Sequence, residues 1–419
     1  MRKRILAVFV CVGAILSANP LHAQWLLVPM DPGQDNHLRA YGLTYWVLEQ
    51  GQQAEWLLNY RGGSFLLPDT PAVRREAALR GVSIEAMDAP GEARMRATVA
   101  SSNMEAVPLE RAPKVAVYTP ANSEIWDDAV TMALEYAGIP YETIWDPEVL
   151  GEGLSDYEWI HLHHEDFTGQ YSKFFLTYGA TSWFQDEVTR NQAMARQAGF
   201  RDVPALKKAV AEAIRAYIDQ GGFLFAMCSA TETLELALAG AGVDIAAAYS
   251  DGTPADPDAT AKMNWSRAMA FTDAEVQVSP TVSAFSDIDG HQVNTPWRQE
   301  LGFYTLFDFS AKFDPVPSML TQNHVAVLPD FYGLTTSFRL DRLKSAAIVL
   351  AQEDGLAKYV HGDLGEGTWT YFGGHDPEDP EHQIGDPPTD LALHPNSPGY
   401  RLILNNVLFP AAKKQTLKT

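Results

Sequence analysis

Phe223-Leu-Phe-Ala-Met227 is an unbroken apolar run between two helical segments, and no other stretch narrows the fold as much. Before it, Asp202 can cap a helix in which Val203, Leu206, Val210, Ile214 and Ile218 keep a three-to-four-residue beat, until Gly221-Gly222 stops it. After it, 231–239 is helical in pattern. A strand apolar on both faces needs cover on both faces, as the middle strands of a parallel sheet have. Further apolar runs at 114–118, 141–145, 159–162 and 346–350 alternate with helical segments such as 127–137, where Ala129, Met132, Ala133 and Tyr136 share a face. The expectation is an α/β protein with a doubly wound, mainly parallel sheet, which run 368–372 joins in either direction.

Residues 24–110 read as a smaller α/β unit. Its pieces are a strand at 25–29, a helix from a cap at Asp35 or Asn36 to Glu49, a strand at 54–59, a turn at Arg61-Gly62-Gly63, a helix at 71–80 after Thr70, and a strand-like run at 82–86. The polar stretch 90–113 reads as a connector. The order of strand, helix and strand hints at a repeat of the larger domain, 111–410. That domain carries insertions at 167–201 and 240–345, the second rich in Asp, Pro, Gly and aromatics and lid-like, and closes on a helix at 400–408.

The chain opens Met1-Arg2-Lys3-Arg4, continues through an apolar run from Ile5 to Leu16, and reaches Leu21-His22-Ala23-Gln24. This is the pattern of a cleavable leader, 1–23, and implies a periplasmic or secreted, soluble protein. The run falls short of the about 20 residues a membrane span needs, and no later stretch is long and apolar enough. A formal charge of −22 repels phosphate backbones and excludes nucleic acid as a partner. Hydrophobic residues at 46% are ample for a packed core.

The two cysteines are Cys11, which leaves with the leader, and Cys228. A lone thiol is either an inert small hydrophobe or a reactive group. Cys228 directly follows the apolar strand and precedes a helix, where backbone N–H groups and a positive dipole end lower a thiol's pKa. The Ser229 N–H there can supply part of an oxyanion hole. A second signal is a strand ending Gly373-Gly374-His375-Asp376-Pro377-Glu378. A cysteine nucleophile needs a base, and the base an orienting carboxylate; His375 suits the first role, and Glu378 or Asp376 the second. The third is His161-Leu162-His163-His164-Glu165-Asp166, after run 159–162. His163, His164 and Glu165 can line a substrate pocket, or the 161–166 cluster can bind a metal with His375, which would make a metal-dependent hydrolase. With no recognised metal spacing, neither metal nor other cofactor is expected.

Together the Cys228 turn, Gly365-x-Gly367, Gly374-His375 and Asn405-Asn406 resemble the class I glutamine amidotransferase-like superfamily, in particular its ThuA-like branch. The resemblance implies a flavodoxin-like sheet and a cysteine hydrolase or amidase acting through Cys228 and His375. Glutaminase members carry His-Pro-Glu and a Gly two residues after the cysteine; here stand His375-Asp376-Pro377-Glu378 and Ala230. The ThuA-like branch implies the alternative, a non-catalytic or carbohydrate-related binding protein, for which Trp183, Phe184, Trp265, Trp297, Tyr304 and Tyr332 would be stacking surfaces or simply core. The chain is also similar to bacterial proteins filed as asparagine synthetase B. That name implies an N-terminal cysteine and a Ser-Gly-Gly-x-Asp-Ser loop, and the sequence has neither.

Overall fold

The computed structural model describes residues 25–413 apart from 121–127, 152, 291–301, 331–336 and 381–386. The expected leader, with Cys11, lies outside the described residues. The fold is α/β, with one five-stranded antiparallel sheet and one ten-stranded mixed sheet.

The smaller sheet comprises β1 (Trp25–Val28), β2 (Ala54–Leu58), β3 (Ser64–Pro68), β4 (Glu85–Met87) and β5 (Glu105–Leu109), in the order β4-β1-β3-β2-β5. The helices His37–Glu49 and Pro71–Arg80 start where the side chains of Asn36 and Thr70 accept the N–H of Arg39 and Val73. Two expectations are corrected. The stretch expected as a connector holds a helix, Ala89–Ser101, and β5. That helix buries only Met95 and Val99, too narrow a stripe to show as periodicity, and β5 is an edge strand that tolerates Pro108. The hinted repeat is absent, since β1, β3 and β2 pair antiparallel.

The large sheet contains β6 (Val115–Tyr118), β7 (Glu142–Ile144), β8 (Trp159–Leu162), β9 (Phe223–Met227), β10 (Phe303–Leu306), β11 (Val327–Pro329), β12 (Phe338–Arg339), β13 (Ile348–Glu353), β14 (Leu356–Leu364) and β15 (Gly367–Phe372). Its order is β11-β10-β13-β14-β15-β9-β8-β6-β7, with β12 on β14. Strands β7, β6, β8, β9 and β15 pair in parallel, and the remaining pairs are antiparallel. Strand β13 lies in the sheet as expected but bonds to none of the parallel strands, because β14 intervenes. The turn Asp354-Gly355, both at positive φ, folds β13 back on β14, a two-residue hairpin that Asp-Gly favours. Nor is 240–345 purely a lid: it contributes β10, β11 and β12 to the sheet. The insertion 167–201 holds a helix, Ser182–Gln197, that buries only Phe184 and Ala195.

Strand β9 is wholly buried, and its alternate residues serve different cores. Phe223, Phe225 and Met227 pack with the helices His37–Glu49, Ala129–Ala137 and Pro398–Leu408. Leu224 and Ala226 pack with the helices Val203–Asp219 and Ser229–Ala239. The first core also takes in Leu26, Val28 and Trp56, so the N-terminal unit shares it. Fully buried Arg401 ties the two parts, donating to Met30 O at 2.9 Å and Gly62 O at 2.6 Å. The Asn405-Asn406 pair is buried structural glue: Asn405 donates to Leu320 O and Gln322 O, and Asn406 to the Tyr359 hydroxyl.

Candidate functional site

Three parallel strands end together. Leu162 of β8 pairs with Ala226 of β9, and Met227 of β9 with Phe372 of β15. The chain therefore brings His163, Cys228 and the Gly373-Gly374-His375 segment to one edge of the sheet, at the strands' carboxyl ends, where open α/β sheets bind ligands. Backbone hydrogen bonds lock the three together. Cys228 N–H donates to Gly374 O at 3.1 Å, and Ala230 N–H to His163 O at 3.0 Å.

Half-buried Cys228 has φ 49° and ψ −141°, a left-handed conformation that costs a non-glycine residue about 1–3 kcal/mol. It sits at the N-cap of the Ser229–Ala239 helix, and its carbonyl accepts Thr231 Oγ1 at 2.7 Å. Such a strained strand-to-helix turn lifts a side chain out of the sheet edge.

Three histidines gather at the same edge of the sheet. His375 Nε2 lies 2.9 Å from His164 Nε2. The ring centroids of His163 are 3.9 Å from His164 and 4.7 Å from His375. Glu165 accepts the His163 N–H at 2.8 Å, and its carbonyl accepts Thr233 Oγ1. Burial pushes the Glu165 carboxyl up to about 7, although the His163 N–H acts against the shift. One nitrogen from each of His163, His164 and His375 falls within a 4.8 Å cluster.

The carboxylates expected to orient His375 are committed elsewhere. Buried Asp376 accepts the Tyr400 hydroxyl at 2.8 Å and the Glu378 N–H at 2.9 Å. Glu378 pairs with His394 at 2.9 Å. The segment after His375 is thus fastened to the Tyr400 helix, and His375 meets His164 instead. Sequence reasoning passed over Asp128, which caps the helix after β6 at this same edge and lies 3.4 Å from His163 Nδ1. Its position one strand away from His161 and His163 was the available signal.

Of the aromatics considered for sugar stacking, Phe184, Trp265 and Tyr304 are core, and Trp183 is 41% exposed. Trp297 and Tyr332 lie outside the described residues. Two concavities of about 460 and 440 Å³ lie elsewhere; one is lined by Met95, Val99 and Lys312, the other by Tyr45, Arg111 and Tyr141. No described helix is long and apolar enough to cross a membrane.

No family model matches the chain, and no curated protein matches it. Among solved structures it is similar to two cytoplasmic proteins of Salmonella typhimurium. STM3548 is 11% identical with a TM-score of 0.35, and STM1381 is 13% identical with a TM-score of 0.36; in each case 72% of this chain and 100% of the other is covered. A β-galactosidase from Bacillus circulans sp. alkalophilus is 12% identical with a TM-score of 0.27, over 68% of this chain and 31% of that one. Likenesses this distant assign neither fold nor activity. Both Salmonella proteins are named cytoplasmic, against the periplasmic or secreted location expected from the leader. That expectation is withdrawn, and at this structural distance no other compartment is put in its place.

Proposed function

We propose that this chain is a cysteine-dependent hydrolase or amidase of the class I glutamine amidotransferase-like type, with Cys228 as nucleophile. The observation that carries the reading is the left-handed backbone of Cys228 at the β9-to-helix turn. The order of the parallel strands supports the family and its flavodoxin-like, doubly wound sheet. Counted along the chain, β7-β6-β8-β9-β15 is 2-1-3-4-5, the flavodoxin order, with helices on both faces.

In this reading the thiolate attacks a carbonyl carbon and forms a tetrahedral adduct. The Ser229 N–H, at the helix N-terminus, stabilises the oxyanion. The His164–His375 pair takes the thiol proton and returns it to the leaving amine or alcohol. Water then cleaves the acyl-enzyme and regenerates the thiol.

Iodoacetamide labelling of the native protein at pH 7, with the adduct located by peptide mass, tests this. Label should appear on Cys228 faster than on free cysteine, slow in His375→Ala, and vanish in Cys228→Ser. A native Cys228 that reacts only after denaturation would overturn the proposal.

A further inference from the structure

Below the histidine stack lies a buried group of different chemistry. Asp128, His161 and His163 are 7%, 0% and 2% exposed, and one ligand atom from each falls within a 4.8 Å cluster. His161 and His163 share one face of β8 and its extension, and Asp128 reaches them from the helix cap beyond neighbouring β6. We propose that these three residues bind a divalent first-row metal ion, zinc foremost, beneath the Cys228 turn. The site does not depend on the thiol being a nucleophile.

Proton accounting at His161 gives the first argument. Its Nδ1 lies 3.0 Å from Phe225 O, and a carbonyl only accepts, so Nδ1 carries the hydrogen. In the neutral ring Nε2 is then a lone pair. It faces Asp128 Oδ2 at 3.3 Å, fully buried, and makes no hydrogen bond. A lone pair against a carboxylate oxygen in a dry interior is repulsive, so the pair needs a positive charge between its members.

Distance decides which charge. A proton would draw the two groups to about 2.7–2.9 Å, the length of a charge-assisted bond. The observed separations are 3.3 Å from Asp128 Oδ2 to His161 Nε2 and 3.4 Å from Asp128 Oδ1 to His163 Nδ1, so each carboxylate oxygen faces one imidazole. Ligands held 2.0–2.1 Å from a tetrahedral ion are about 3.3–3.4 Å apart. The surroundings also suit a metal. The carbonyl of Phe225 orients His161, as outer-shell carbonyls orient metal-bound imidazoles. The N–H groups of Val130 and Thr131 hold Asp128 Oδ1 at 2.7 and 3.1 Å. Two imidazoles and a carboxylate form the donor set of zinc hydrolase and non-haem iron sites. Because the His163 ring stacks on His164, an ion here would fix the floor of the histidine group.

The test uses the full chain, stripped with a chelator and dialysed against Zn²⁺, or against Co²⁺ for spectroscopy. Wild type and Cys228→Ser should each retain one ion per chain, with a tetrahedral cobalt spectrum that lacks a thiolate band. His375→Ala should retain it too. Asp128→Asn and His161→Ala should lose it, and zinc should raise the thermal midpoint of wild type but not of these two. Wild type that binds no ion would overturn the proposal. So would a thiolate band in the wild-type cobalt spectrum, or loss of the ion in His375→Ala but not in His161→Ala, either of which would move the site up to the Cys228 edge. The cobalt spectrum is read on wild type, so it decides the matter even if the Asp128 or His161 variants do not fold.

Discussion

Glu232, one turn past Cys228, is buried in the first turn of its helix and has its carboxyl pushed up to about 8 from an ordinary 4.5. Desolvation is the main cause, and the negative charge of Asp289 adds to it; Ser286, which donates its hydroxyl to Glu232, acts the other way. The folded protein therefore holds this proton more tightly than the unfolded chain does. Its contribution to stability is whole below pH 4.5 and is lost as the pH rises to about 8, where the folded group finally ionises. Glu232→Gln keeps an acceptor for Ser286 and cannot ionise. At about 1.4 kcal/mol per pH unit, the variant should gain about 3 kcal/mol on wild type between pH 5 and 7.5. Urea unfolding of both proteins at half-unit steps across that range measures it. Profiles that stay parallel from pH 5 to 7.5 would refute the reasoning, because they would mean that Glu232 is already charged in the folded protein.

Two further substitutions probe the framework around the site. Lys207 and Asp146 form a buried pair, 2.9 Å apart, with Lys207 also over the Trp145 ring at 3.9 Å. Lys207→Met should lower unfolding stability by about 3–5 kcal/mol, because Asp146 is left charged without its partner; a loss below 1 kcal/mol, on the order of a surface pair, would contradict this. Gly367 opens β15 where a Cβ would stand 2.1 Å from Ile218 O and 2.3 Å from Gly222 O. Gly367→Ala must push backbone apart, and calorimetry should show a destabilisation of about 1–3 kcal/mol.

Elements were legible wherever the determining contacts are local. Asn36, Thr70 and Asp202 cap helices through amides three residues ahead, so each start could be read from its own few residues. Strand β9 was legible for a related reason: burial on both faces demands five apolar residues in a row. Elements with little apolar surface were not legible. The helices Ala89–Ser101 and Ser182–Gln197 each bury only two residues, and nothing in such sparse burial sets a period.

Of the candidate site, the sequence alone determined Cys228 on a strand-to-helix turn and His375 at a strand end, because each follows from the residues beside it. Which partners those groups meet was decided only in the folded chain. The parallel register of β8, β9 and β15 sets His163 and His164 beside His375, residues separated by more than two hundred positions. The neighbouring place of β6 brings Asp128 to His161. Asp376 turns instead to Tyr400 of the closing helix, and Glu378 to His394 in the loop before that helix. Strand order and register are cooperative outcomes of burying two cores at once, and no short window of residues encodes them.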